Sequence, residues 1–112
     1  MAITTNTQSN AESVCNHAVG QVATDSGTAA AIAITCGFKP RVVRWINVTS
    51  SAALTKDEWY EGMAAANSVH TVGSTGVVTL STTAGPTISD SGFTLPAGTV
   101  PASSSFVWEA VG

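Results

Sequence analysis

The feature that most constrains this chain is a series of short β-branched and aromatic runs, cut roughly every ten residues by Gly, Pro, Asn or Ser. Such runs suit pleated strands, because branched side chains pack on a pleat and lose χ1 freedom in a helix. The pattern predicts strands over Val19–Ala23, Ala30–Cys36, Arg41–Val48, Glu58–Gly62, Ser68–Val72, Val77–Ser81, Thr87–Ser89, Gly92–Leu95 and Ser105–Val111. Asp25-Ser26-Gly27, Gly37, Gly73 to Gly76, Gly85-Pro86 and Leu95-Pro96-Ala97-Gly98 supply the turn chemistry between them. Only "SAALTKDEW" and "MAAAN" carry helix-forming composition, and each predicts a single helical turn. The expected fold class is all-β: a compact β-sandwich or small β-barrel with an extended N-terminal arm.

A chain of 112 residues makes one domain. Residues 19–112 hold the predicted strands. Residues 1–18 are polar, nearly uncharged and without strand or helix period, which predicts an arm that is disordered alone and ordered by a neighbour. Apolar residues are 44% of the chain, but much of that is Ala, which buries little area, and aromatics are 6%. A modest core is expected, with stability gained from contacts to other subunits.

Charged residues are only 10%, against a usual ~25%. With a net charge of −3 there is no basic patch to neutralise several phosphates, so nucleic acid is not an expected partner. The longest apolar run, around Ala29–Ile34, is too short to span a bilayer. "MAITTNTQSN" lacks a positive region followed by an apolar stretch, so a protein made and kept soluble in a cytoplasm is expected. Cys15 and Cys36 are the only cysteines. They either close a loop or remain thiols, and a reducing cytoplasm favours thiols. With no CxxC and two distant histidines, no metal or cofactor is expected. His17 and His70 have no evident catalytic neighbour, and no G-x-S-x-G is present. An enzyme is not expected.

Residues 35–63, "TCGFKPRVVRWINVTSSAALTKDEWYEGM", hold all four Lys and Arg residues and two of the three tryptophans. Gly37 and Pro40 bracket a tight connection, Gly supplying φ > 0 and Pro forcing an extended Lys39. In the strand that follows, one face carries Arg41, Val43, Trp45 and Asn47, and the other Val42, Arg44, Ile46 and Val48. Both faces are partly apolar. The strand is therefore either central in a sandwich, with arginines snorkelling at its edges, or it has one face in the core and the other in an interface. The acids near Trp59, namely Asp57, Glu58 and Glu61, are adjacent or nearly so, and neighbours on a strand point to opposite faces. That argues against a glycosidase pair or a calcium cage and for ion pairs with Arg41, Arg44 or Lys56. The interface candidates are Arg41, Arg44, Trp45, Glu58, Trp59 and Glu61.

Five motifs occur in order: Gly37-Phe38-Lys39-Pro40-Arg41, Asn47-Val48-Thr49, Glu58-Trp59-Tyr60-Glu61-Gly62-Met63, Gly92-Phe93-Thr94-Leu95 and Phe106-Val107-Trp108. In order and spacing, over roughly residues 30–111, the chain resembles a group of small virion proteins of tailed bacteriophages. The longer polar arm and the inserted "SSAALTK" depart from that pattern. The resemblance implies a non-enzymatic capsid decoration (cement) protein on the virion exterior. Such a protein would bridge subunits of the major capsid protein and associate with itself, as a trimer first and a dimer next. A tail or head-fibre component, and a secreted carbohydrate-binding module using exposed Trp45, Trp59 or Trp108, are the alternatives.

Overall fold

The computed structural model describes residues 2–10 and 16–112. The strands are β1 (Ile3–Asn10), β2 (His17–Thr24), β3 (Ile32–Thr35), β4 (Val42–Asn47), β5 (Thr55–Tyr60), β6 (Ser68–Val72), β7 (Val78–Ser81), β8 (Thr87–Ile88), β9 (Gly92–Leu95) and β10 (Ser105–Val111). There is no helix among the described residues. The strands form a seven-stranded sheet in the order β1-β2-β10-β4-β5-β6-β7 and a three-stranded sheet in the order β3-β9-β8, with every named strand pair antiparallel. The fold is thus all-β, a sandwich of one large and one small sheet. The chain leaves the large sheet for β3, returns for the β4–β7 meander, crosses again for β8 and β9, and ends with β10 inserted between β2 and β4.

Alternation decides which side chains fill the space between the sheets. From the large sheet come Ala18, Val22, Val43, Trp45, Trp59, Phe106, Trp108 and Ala110, and from the small sheet Ile32, Ile34, Phe93 and Leu95. Phe93 meets Trp108 edge-to-face across the gap, with centroids 5.4 Å apart and planes at 78°. The core is therefore more aromatic than the composition suggests: five of the seven aromatic residues are buried. Trp45 and Trp108 sit directly opposite one another on β4 and β10, and neither indole N–H has a protein acceptor.

Two backbone positions carry this arrangement. Gly37 adopts φ +89° at the turn into the Pro40 segment, as the sequence implies. Gly92 opens β9 where that strand presses on β3. A Cβ there would lie 1.9 Å from the Ile34 carbonyl oxygen, so only glycine allows the two strands to approach this closely.

Three local expectations are corrected. Both segments of helical composition are non-helical: residues 55–59 of the first are already in β5, and residues 63–67 form turns and bridges. The register of β5 against both β4 and β6 overrides the propensity of Ala, Leu, Lys and Glu. The same register moves β5 to Thr55–Tyr60, three residues earlier at its start than expected. Third, the segment expected as a disordered arm includes a strand. Residues 3–10 pair along β2, and β2 itself begins at His17. An edge strand need only satisfy a main-chain ladder, and Thr, Asn, Gln and Ser do that without an apolar face; Ile3 remains 42% exposed. Residues 11–15, including Cys15, lie outside the described residues, and with them the question of a Cys15 bridge. Cys36 is a buried thiol whose Sγ donates to the Phe38 carbonyl at 3.5 Å, and burial raises its pKa.

Candidate contact surface

The outer face of the large sheet points away from the small sheet, and register aligns its side chains into rows that cross the strands. The central row runs Val19 (β2), Glu109 (β10), Arg44 (β4), Glu58 (β5), Val69 (β6) and Leu80 (β7). One neighbouring row runs Gln21, Val107, Ile46, Lys56, Thr71 and Val78, and the other His17, Val111, Val42 and Tyr60. A charged centre is therefore flanked by rows in which Val107, Ile46 and Val78 on one side, and Val111, Val42 and Tyr60 on the other, alternate with or adjoin the polar Gln21, Lys56, Thr71 and His17. Val19, Val107, Tyr60, Val78 and Leu80 are all exposed, Val78 and Leu80 the most of the large hydrophobic residues described. Beside Ile46, a shallow, almost wholly apolar depression is lined by Leu54, Lys56 and Thr71.

Arg44 organises the centre. Its Nη1 donates to Glu109 Oε1 at 2.7 Å, and its Nε lies 3.6 Å from Glu58 Oε2. Nη2 reaches the Tyr60 hydroxyl at 3.4 Å, and the guanidinium lies 5.6 Å from the centroid of the Tyr60 ring. Tyr60 in turn donates its hydroxyl hydrogen to Glu58. His17 Nε2 is 2.8 Å from the other Glu109 oxygen, and Lys56 Nζ is 3.4 Å from Glu58 Oε1. The His17 hydrogen bond, then Arg44, hold Glu109 below the ordinary glutamate value of 4.5. The Tyr60 hydroxyl, then Lys56 and Arg44, do the same for Glu58. Tyr60 and Glu109 push the Arg44 pKa up. Both signs are thus fixed in place and mutually compensated, which leaves little net charge on the row.

Of the six residues singled out from the sequence, Arg44 and Glu58 meet in this network. Arg41 and Glu61 pair separately at 3.4 Å near the end of β5, with both side chains about two-thirds in solvent. Trp45 and Trp59 are corrected: at 3% and 6% exposure they belong to the core beneath the sheet, and Trp59 shows only an edge, in a depression beside Pro40, Gly62 and Ile88. Trp108, also 3% exposed, removes the last exposed tryptophan that a carbohydrate-binding platform would need. His17, Tyr60 and Glu109 were missed as members of the network. Only the pairing of β10 between β2 and β4 brings Glu109 to Arg44, and no local spacing signals that.

On the inner side, His70 Nδ1 lies 2.8 Å from Asp57 Oδ1, and Ser68 Oγ donates to the same oxygen at 3.2 Å. Asp57 is 4% exposed; burial raises its pKa, opposed by the bonds from His70 and Ser68. These residue types suit nucleophilic catalysis, but their arrangement does not. The Ser68 hydroxyl, fully buried, is bound to the carboxylate and not to the imidazole that would have to take its proton. The cluster ties β5 to β6. Among the described residues no three His, Cys, Asp or Glu side chains are grouped to hold a metal ion, and no helix is long and apolar enough to cross a membrane. Comparison with protein-family models, with curated proteins and with solved structures finds no match.

Proposed function

We propose that this chain is a structural virion protein that decorates the capsid of a tailed phage, bridging major capsid subunits through the outer face of its large sheet. The observation that carries the reading is that face: exposed Val19, Val107, Val78 and Leu80 around the compensated Glu109–Arg44–Glu58 row. A broad sheet surface with apolar flanks and a fixed charge pattern suits a contact, since the flanks supply area and the charges supply register. The ordered motifs from Gly37 to Trp108 support the phage assignment. In this reading the protein is not an enzyme, is made in the host cytoplasm and ends on the capsid exterior. It associates with itself as a trimer or a dimer and multiplies weak contacts across the lattice.

The test is quantitative mass spectrometry of virions that carry the chain, joined to a reconstruction of the particle. A copy number comparable to that of the major capsid protein, with density on the shell, supports decoration. A handful of copies at the tail or on fibres overturns it in favour of a tail or fibre component.

A further inference from the structure

β7 is one of the two edges of the large sheet, and it lacks most of the features that keep edges from pairing. Val77, Val78 and Leu80 are 52%, 60% and 62% exposed, the three highest values among the exposed large hydrophobic residues. There is no Asp, Glu, Lys or Arg from residue 71 to residue 89 and no Pro before Pro86, so no charge, proline or inward-pointing lysine guards the strand. Its shortness, four residues, is the one protective feature present. The opposite edge differs in sequence: after Ile3, β1 consists of Thr, Asn, Gln and Ser.

The ladder shows which groups the β7 edge presents. Val72 N–H donates to the Val77 carbonyl at 3.1 Å. Val72 and Val77 continue the register in which His70 faces Thr79 and Ser68 faces Ser81. Antiparallel pairs alternate between bonded and non-bonded, so Thr79 and Ser81 spend their N–H and C=O on β6, as Val77 does its carbonyl, while the Val77 N–H donates to Thr75 Oγ1 at 3.4 Å. Val78 and Leu80 turn theirs outward. The same two residues therefore present both the unused main-chain groups and the exposed side chains.

We propose that β7 is a strand-pairing site whose occupant is β7 of a second copy of this chain, joined antiparallel about a two-fold axis at Thr79. In that register Val78 meets the second copy's Leu80, and each N–H finds the other's C=O. The side chains of Val78 and Leu80 pack together on the outer face, and the two Thr79 side chains lie opposite each other on the inner one. Self-pairing of a charged strand would set like charges face to face; this strand has none. Pairing of β7 with the β1 edge of another copy would be head-to-tail and would extend to a ring or a filament, whereas β7 with β7 closes at two copies. Three β7 edges cannot all pair around a three-fold, so this contact makes a dimer. The pairing is a property of the free chain and does not depend on any capsid. With so short a strand, the dissociation constant should fall roughly between 10 µM and 1 mM.

Sedimentation equilibrium of the full chain up to about 1 mM tests the proposal. The wild type should show a monomer–dimer equilibrium. A Val78→Lys/Leu80→Lys variant and a Val78→Glu/Leu80→Glu variant should each associate at least about 30-fold more weakly, because like charges then face each other across the axis. Mixed in equal amounts, the two should dimerise again. Thr79→Cys, made in a Cys15→Ser background, should cross-link to a dimer under mild oxidation while the background alone does not. The two Thr79 Cα atoms would lie about 4.5 Å apart, within disulfide reach. Circular dichroism checks folding; should the charged variants misfold, the cross-link at exposed Thr79 decides alone. A wild type that stays monomeric with no Thr79→Cys cross-link overturns the proposal and leaves the edge to a strand from a different protein. A dimer unaffected by the double lysine variant overturns it as well.

Discussion

Replacing Arg44 by Glu places a third carboxylate between Glu109 and Glu58, its direct cross-strand neighbours. The Arg44 side chain is 42% exposed, so in the free chain each of its two ion pairs is worth about 0–1 kcal/mol. The contact with the Tyr60 ring adds about 0.5–1 kcal/mol. The reversed charge then opposes two acids at a further cost of about 0.2–1 kcal/mol each. The total is about 1–5 kcal/mol, and its middle value of about 3 kcal/mol lowers the melting temperature of a domain of this size by roughly 10–15 °C. Arg44→Met keeps much of the stem and adds no repulsion, and should lose about 1 kcal/mol. Arg41→Glu touches only a pair about two-thirds in solvent and should change stability by less than about 1 kcal/mol. Differential scanning calorimetry on the purified chain reads all three. The gap between wild type and Arg44→Glu should narrow in 1 M salt. It should also narrow in acid. Glu58 and Glu109 have folded pKa values below 4.5, so their stabilisation is present above that value and is lost as the pH falls through the lowered ones. If the row docks on a partner, its charges lose water there, and binding should weaken by a further ~30-fold beyond the loss of folding stability. An Arg44→Glu chain that melts with the wild type would refute the network. One that melts lower yet still binds shells with wild-type affinity would remove the row from the contact.

Three further outcomes follow from the packing. Gly92→Ala should cost about 2–4 kcal/mol in urea unfolding, because its Cβ meets the Ile34 carbonyl; Gly98→Ala, with open space around it, should stay within about 1 kcal/mol. Asp57→Ala strands the Ser68 hydroxyl and the His70 ring and should cost about 2–4 kcal/mol by the same assay, whereas Asp57→Asn keeps an acceptor and should cost about 1 kcal/mol or less. The folded pKa of Asp57 is raised above 3.8, so ionisation of its carboxylate opposes folding; the wild type should gain on Asp57→Asn as the pH falls through that raised value, and a gap that moves the other way would refute the assignment.

How much of this was legible in the sequence depended on whether the signal was local. Short β-branched and aromatic runs bounded by turn residues placed β4, β6, β9 and β10 within about a residue, and in β4 and β10 burial alternates along the strand as the pattern requires. Arg44 and Val43 were assigned to opposite faces correctly for the same reason. β1 carries no such pattern: an edge strand held by its main chain imposes no demand on side-chain type, so residues 3–10 read as an arm. The tryptophans misled in the opposite direction. Clustered with charges in sequence, Trp45 and Trp59 looked like surface anchors, yet alternation sends them inward and their charged neighbours outward. The charge network needed β10 between β2 and β4, a long-range crossover that leaves no trace in local composition.

The two proposed contacts share residues without competing for them. Val78 and Leu80 direct their main chains to the edge and their side chains to the outer face, so pairing two copies at β7 extends that face rather than covering it. The seven-stranded sheets would run on into each other and carry two Glu109–Arg44–Glu58 rows related by the two-fold. A single copy gains only what one such row and its apolar flanks provide, and surface ion pairs make that small. Two rows held at a fixed separation turn the second contact into an intramolecular one, with an effective concentration set by the rigid sheet between them. That linkage imposes a geometric condition on whatever the face binds: its own binding patches must repeat at the spacing and two-fold orientation of the paired sheets. A shell of identical subunits meets such a condition at its two-fold positions, and a monomeric receptor does not. Chains uncoupled at β7 by Thr79→Lys, which sets two lysines opposite each other on the inner face and leaves the outer-face side chains unchanged, should therefore lose shell binding, while Arg44→Glu weakens both copies of the row at once.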